Sequence, residues 1–397
     1  MTRRFVALIA AVLAAGPAVA AQDAQEPAFD AALAEFRQLH RAEVRRANIA
    51  GSSFTFVRDG RTVAADHFGL QDVDANVPVD ADTIYHWASI TKTMTGIAIL
   101  QLRDRGLLSL DDPVVRYVPE LARVHNPFGP MEAITIRQLM SHSAGFRGGT
   151  WPWRDQEWQP FEPPGWEQLA AMLPYTEVQF APGSRYSYSN PGIVYLGQVI
   201  ERLSGEDFEV YVDKNILRPL GMHASYFDRT PPHLLRHRAH SYYIRDGRRT
   251  AAPFDVDTGV TVSNGGLNAP MTDMARYLAF LIGDPARAAD YDLVLRRSSL
   301  EEMWRPVIAL EGDSTEGRRP GATHSGLNFF VGQRGPVRLV GHSGDQNGFR
   351  AYLSLCPDQR AGSLLAFNTE PARERGGESA DARIARATDA LCEALAR

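Results

Sequence analysis

The chain has 397 residues, 44% hydrophobic and 22% charged, which suits one large mixed domain or two interleaved ones. A formal net charge of −5, with Arg and Lys spread along the chain, gives no electrostatic basis for binding nucleic acid or an anionic membrane. Two cysteines, Cys356 and Cys392, are too few for a disulfide scaffold and have the wrong pattern for a zinc site.

The N-terminus reads as a secretory signal over residues 1–20. Arg3 and Arg4 supply the positive start, Phe5 to Ala15 the apolar run, and Ala18-Val19-Ala20 the small-residue cleavage site. That run is too short to span a bilayer, and no later stretch is long enough and charge-free enough to do so. The expected product is a secreted or periplasmic domain over residues 21–397, with no membrane insertion once the signal is removed. No cysteine follows the signal to carry a lipid anchor.

Phe29, Leu33, Phe36 and Leu39 then recur at helical spacing and predict an amphipathic helix. Ser53 to Val57 and Val63 to Phe68, around Asp59-Gly60, predict a hairpin. A helix should begin near Ser89 and carry Met94, Ile97 and Leu100 inward. The centre is helical and loop-rich, with periodic segments at Ile134 to Met140, Ile193 to Leu203, Phe208 to Ile216 and Met271 to Ile282. Strand patterns return at Leu327 to Gly332, Val337 to His342, Phe349 to Leu355 and Ser363 to Phe367, followed by a helix over Asp381 to Ala396.

Strands at both ends with helices between them predict a mixed α/β (α+β) fold. An antiparallel sheet (roughly residues 28–88 and 300–397) is flanked by N- and C-terminal helices, with a mostly helical lobe (roughly 89–299) inserted and a cleft between the lobes. Cys356 should end a strand and Cys392 lie on the terminal helix beside it. Two buried thiols are the expected state, with a single bridge as the alternative.

Ser89-Ile90-Thr91-Lys92 places a hydroxyl and an amine three residues apart, on one face where a helix begins. Serine needs an adjacent base to act as a nucleophile, and a lysine serves if burial or positive charge lowers its pKa. Alone, Ser-x-x-Lys is a chance pattern, equally a helix cap followed by a solvated lysine. Two further motifs follow: Tyr188-Ser189-Asn190, in a turn leading into a helix, and His342-Ser343-Gly344, after one strand and before another.

With these three motifs in order, the chain resembles the serine β-lactamase and penicillin-binding-protein superfamily. Within it, the likeness is to class C β-lactamases, D-alanyl-D-alanine carboxypeptidases and the esterases and amidases of that fold. Trp87 to Glu120, Ile134 to Gly145 with its Ser-His-Ser-Ala-Gly, and Gly265-Gly266-Leu267 resemble the family's flanking segments. The resemblance implies Ser89 as nucleophile, Lys92 as its base and Tyr188 as a second acid/base. Asn190 would hydrogen-bond Lys92 and the substrate, and the N–H groups of Ser89 and Asp345 would form the oxyanion hole. Gly344 would allow the strand to approach the substrate.

Two departures bear on substrate. His342 replaces the lysine of the antibiotic-hydrolysing members, removing a fixed cation suited to a substrate carboxylate. Asp345 would put a carboxylate beside the oxyanion hole unless Arg350 offsets it; it is read as a specificity feature or a solvent-facing turn residue. Gly148 to Trp166 holds Trp151, Trp153, Trp158 and Trp166, which line a pocket or staple a long loop. His233, His237 and His240, spaced i, i+4, i+7, read as a solvated face rather than a metal site, and nothing calls for a cofactor. No Gly-x-Ser-x-Gly elbow occurs, which argues against an α/β-hydrolase.

The sequence therefore predicts an exported serine hydrolase working through an acyl-enzyme on an ester, amide or D-amino-acid peptide, with a small molecule or peptide as its partner. The alternatives are a β-lactamase or cell-wall DD-carboxypeptidase, and a non-catalytic binding protein on the same scaffold.

Overall fold

The computed structural model describes residues 17–150, 165–310, 318–372 and 378–396, with side chains of the first helix described from Pro27 onward. That helix, α1 (Pro17–Arg46), buries Phe29, Leu33, Phe36 and Val44. Leu39, expected on this face, is 38% exposed. The inward position falls to His40, which hydrogen-bonds Ser52 Oγ at 2.9 Å. Most of the signal-like segment lies outside the described residues.

The hairpin forms as β1 (Gly51–Arg58) and β2 (Arg61–Asp72), because Asp59 and Gly60 both take positive φ, as the tight turn between right-twisted strands requires. It joins β3 (Val77–Pro78), β4 (Ile308–Ala309), β5 (Ala322–Ser325), β6 (Phe330–Arg334), β7 (Val337–Gln346), β8 (Phe349–Cys356) and β9 (Ala361–Phe367). The nine strands order as β3-β2-β1-β9-β8-β7-β6-β5-β4, antiparallel throughout, so the C-terminal hairpins close directly onto β1.

Both faces of this sheet are covered. On one, Phe54 and Phe56 of β1 stack with Phe36 and Phe29 of α1 at ring separations of 4.3 and 5.2 Å. The C-terminal segment packs there too, as α5 (Ala380–Ala387) and α6 (Asp389–Ala394). The single helix expected over Asp381 to Ala396 is thus divided at Thr388. Its hydroxyl bonds the carbonyl of Ala385 at 2.7 Å, which competes with helical continuation. The break also turns Asp389 onto the buried guanidinium of Arg319.

On the other face lie α2 (Thr91–Asp104), α3 (Asn190–Ser204) and α4 (Met271–Ile282). Met94, Ile97 and Leu100 of α2 are fully buried as expected. In fact every residue from Thr91 to Leu102 is buried, so α2 is a central helix rather than an amphipathic one. Two expected helices are shorter or altered: Ile136–Met140 alone is helical in its segment, and Phe208–Val212 continues into a π-helical turn over Asp213–Leu217. No described helix is long and apolar enough to cross a membrane.

The two cysteines form a disulfide, Cys356–Cys392, which corrects the expectation of free thiols. Cys356 ends its strand and Cys392 lies on the last helix, as the sequence predicts. The helix brings Cys392 within bonding distance because Leu391 and Leu395 bury against the same face of the sheet. Closing a loop of 36 residues stabilises a fold by about 3–4 kcal/mol through the unfolded chain. Urea unfolding of the Cys356→Ser, Cys392→Ser variant is expected to show a loss of that order. An unchanged midpoint would mean that burial alone holds the terminal helices.

Candidate active site

The site is built around a turn that the sheet forces close to its neighbours. Ile84–His86 pairs with Leu267–Pro270 in a small three-stranded sheet, and Ala88–Ile90 then makes one tight helical turn before α2 starts. Ala88 takes φ +46°, a left-handed conformation that costs a non-glycine residue free energy and is typical of residues beside a reacting centre. From Thr83 to Leu102 every residue is buried except Ser89. The turn presents one hydroxyl to the cleft and hides everything around it.

Lys92 has no exposed surface. Its Nζ donates to Ser89 Oγ at 2.9 Å and to the carbonyl of Asn264 at 2.8 Å. The loop carrying Asn264 is tied to α2 by Thr95 Oγ1, which donates to Ser263 O at 2.5 Å, and by Leu267 N, which donates to Thr91 Oγ1 at 3.1 Å. These bonds fix where the amine points. A hydroxyl held against a buried amine is the geometry in which the amine can take the hydroxyl proton.

Tyr188 arrives from a loop without regular structure, with its ring centroid 5.0 Å from Lys92 Nζ. Asn190 follows at the start of α3. Its N–H donates to Gly148 O, its carbonyl accepts from Asn264 Nδ2 at 3.5 Å, and Ser189 caps the helix through Gly192 N. His142, which the motifs did not single out, shapes this loop. Its carbonyl accepts from Ser187 N at 2.8 Å and its Nδ1 from Ser189 N at 3.2 Å, so it holds the backbone N–H of the residue on each side of Tyr188. Its ring also lies 4.5 Å from the Tyr188 ring. An Nδ1 that accepts cannot carry the proton, which leaves His142 neutral as the Nε2–H tautomer. The Ser-His-Ser-Ala-Gly segment was visible in sequence; that its histidine clamps Tyr188 was not.

His342, Ser343 and Gly344 lie inside β7, whereas the motif was expected between two strands. The neighbouring β6 begins only at Phe330, opposite Gly341, so from His342 onward β7 pairs with β8 alone and offers a free edge to the cleft. A Cβ on Gly344 would sit 2.3 Å from the Trp87 carbonyl oxygen. Glycine therefore lets this edge approach the Ser89 turn. His342 is fully buried, donates from Nδ1 to Ser343 O at 2.6 Å, and presents Nε2 with no hydrogen-bond partner among the described residues. Burial, then the Lys92 charge, hold its pKa down to about 3 against the opposing bond to Ser343. It is a neutral acceptor, not a substitute cation.

The Asp345 side chain turns away from the cleft instead of lying beside the oxyanion position expected from sequence. Along β7, His342, Gly344 and Gln346 face the cleft, while Ser343 and Asp345 face the C-terminal helices. The Asp345 carboxylate pairs with Arg350 across the β7–β8 ladder, and Arg350 Nε reaches the buried Asp381 at 2.7 Å. Its charge is thus offset by Arg350, and its backbone is what lies at the cleft. Trp166 packs against Tyr195 and beneath Arg202 on the helical lobe, as a staple does. Trp151, Trp153 and Trp158 lie outside the described residues. His233, His237 and His240 do not share a helical face, since only Leu235–His237 forms a short turn. His240 stacks on Phe254 instead, and no three-residue metal cluster occurs among the described residues.

The chain belongs to the Beta-lactamase family, which it matches over residues 29–387. Protein flp of Staphylococcus aureus (strain COL) is 24% identical over 326 residues, covering 82% of this chain. The chain spans 61% of that curated relative's length. The octameric penicillin-binding protein homologue from Pyrococcus abyssi superposes with a TM-score of 0.75 at 27% identity, over 91% of this chain and 77% of that one. The D-amino acid amidase from Ochrobactrum anthropi SV3 shares the fold, with a TM-score of 0.71 at 18% identity over 91% and 98% of the two chains. The fold is therefore that of the β-lactamase and transpeptidase-like serine hydrolases.

Four buried histidines make the fold acid-sensitive. Burial is the first cause in each: it brings His40 and His86 to about 4, His342 to about 3, and His142 well below its ordinary value. Each ring binds more protons unfolded than folded between its depressed value and about 6.5, so stability is lost as pH falls through that window. The urea midpoint is expected to drop progressively from pH 7 to pH 4, and His342→Gln to make that drop shallower by about one proton. A midpoint flat over this range would contradict the neutral assignments.

Proposed function

We propose that this chain is an exported serine hydrolase that forms a covalent acyl-enzyme on a small ester, amide or D-amino-acid peptide. The observation that carries the reading is Ser89 Oγ at 2.9 Å from the amine of a fully buried Lys92, at the one accessible position in a long buried run.

In this reading Ser89 Oγ attacks the substrate carbonyl carbon while its proton passes to Lys92 Nζ. The carbonyl oxygen becomes an oxyanion facing the N–H groups of Ser89 and Asp345. Collapse breaks the bond to the leaving group, which takes its proton through Tyr188, lying between Lys92 and the neutral His342. Water then attacks the acyl-enzyme, gives a proton back through the same groups, and releases the acid and Ser89. Asn190, at the head of α3, borders the cleft and is assigned to substrate binding with the edge of Ser343 and Gly344. No step calls for a metal or cofactor.

His342 favours esters, amides and peptides over lactams. A histidine held neutral provides no cation for the carboxylate of a penicillin or cephalosporin. The D-amino acid amidase among the fold relatives supports including D-configured substrates. Export is supported by the signal-like N-terminus and by the disulfide, a bond that persists in oxidising compartments. The surface charge gives no reason to add nucleic acid or membrane as a partner.

Turnover of a short-chain nitrophenyl ester is expected to fall by at least about 10³-fold in Ser89→Ala. Unchanged turnover would remove Ser89 from the chemistry and favour a binding protein. A chromogenic cephalosporin is expected to be cleaved far more slowly than the ester; rapid cleavage would establish the β-lactamase alternative.

A further inference from the structure

His142 stands outside the three motifs, yet its backbone and its ring both serve the loop that carries Tyr188. It takes φ +55°, a left-handed conformation that a non-glycine residue holds only where its surroundings impose it. Ser141 N donates to Arg137 O at 3.0 Å, Ser143 N to Gln138 O at 2.9 Å and Asn328 N to Met140 O at 2.7 Å. The chain is thus tied on both sides of the strained residue. The turn sends both acceptors of His142 the same way, its carbonyl to Ser187 N and its Nδ1 to Ser189 N.

The ring has no second polar anchor. Nε2 is buried with no hydrogen-bond partner among the described residues, and the ring packs against Tyr186, Tyr188 and Phe330 at centroid separations of 6.1, 4.5 and 6.3 Å. Burial, then the charge of Lys92, keeps a second proton off it, and the nearby His342 is itself neutral. A protonated Nδ1 would point a hydrogen at the Ser189 N–H and break the contact. Tyr188 is therefore held through the N–H groups of its two neighbours, and Ser189 Oγ passes the restraint on to α3 through Gly192 N.

That restraint bears on one step of the reaction. When the tetrahedral intermediate collapses, the bond from the carbonyl carbon to the leaving atom breaks, and the Tyr188 phenol gives that atom a proton. The proton that Lys92 took from Ser89 then replaces it on the phenolate. A nitrophenolate departs as the anion and needs little of this help, whereas an alkoxide or an amide nitrogen depends on it. We propose that His142 is a positioning residue for Tyr188, and that cleavage of unactivated esters and amides depends on its Nδ1 accepting from Ser189 N. This rests on the acyl-enzyme reading above.

The test compares kcat/KM for the nitrophenyl and ethyl esters of one short-chain acid, which share the acyl group and differ in their need for an acid. His142→Asn keeps an acceptor bonded to Cγ, as Nδ1 is, and asparagine tolerates left-handed φ. His142→Phe keeps a ring against Tyr188 and loses the acceptor. The phenylalanine variant is expected to lower kcat/KM by about 10- to 100-fold for the ethyl ester and by only about 3-fold for the nitrophenyl ester. The asparagine variant is expected to keep the wild-type ratio of the two. Taking that ratio within each variant cancels general losses of folded or active protein. His142→Gly, which adopts left-handed φ freely and also lacks the acceptor, serves in place of a poorly folding phenylalanine variant. A ratio unchanged by loss of the acceptor, one disturbed as much by asparagine, or a wild type that cleaves only the nitrophenyl ester overturns the proposal. Ester turnover that survives Ser89→Ala would instead overturn the acyl-enzyme reading.

Discussion

The contact between Ser89 Oγ and Lys92 Nζ organises the rest of the molecule, because a lysine amine is costly to bury. The fold meets that cost with directed acceptors. The Asn264 carbonyl takes one amine proton, and the face of Tyr188 lies 5.0 Å away. Both depend on loops, and both loops are tied down: the first by Thr91 and Thr95 of α2, the second by the carbonyl and ring of His142. An active centre of this kind needs rigid surroundings more than many contacts.

The third side of the cleft is held from behind. β7 has a free edge from His342 onward, so its position relies on β8 and on the C-terminal helices beneath it. Arg350 links Asp345 to Asp381 of α5, Tyr352 donates to the same carboxylate at 2.6 Å, and Cys392 of α6 bonds to Cys356 at the end of β8. Burial alone would raise the Asp381 pKa, yet the Arg350 charge together with hydrogen bonds from Ser379, Tyr352 and Arg350 outweighs it and holds the carboxyl below its ordinary value. The terminal helices thus serve the edge that would carry the oxyanion donor of Asp345.

Much of this was legible in the sequence. The hairpin at Asp59-Gly60, the strands after Val337 and the helix over Met271–Ile282 follow from turn chemistry and apolar spacing, which act locally. The three motifs, far apart in sequence, come together around Ser89 in the fold. What could not be read depended on tertiary contacts. His40 replaces Leu39 inside α1 because Ser52 supplies a partner. Thr388 breaks the last helix where Arg319 draws in Asp389. The Asp345 side chain leaves the cleft because strand alternation and Arg350 place it behind the sheet. One signal was present and unused. Of the 42 basic side chains only Lys92 and Lys214 are lysines, so a chain that otherwise uses arginine has one of its two lysines at the position proposed as the base.

That composition permits a direct measurement on the central pair. Protein labelled with carbon-13 at lysine Cε gives two side-chain signals, one from buried Lys92 and one from exposed Lys214. Lys92→Arg assigns them. Removal from water favours the neutral amine, so the Lys92 signal is expected to change charge distinctly below the ordinary lysine range, with kcat/KM rising over the same range. A Lys92 signal that changes charge only in the ordinary lysine range, with a rate profile that does not follow it, would contradict the assignment of Lys92 as the base for Ser89.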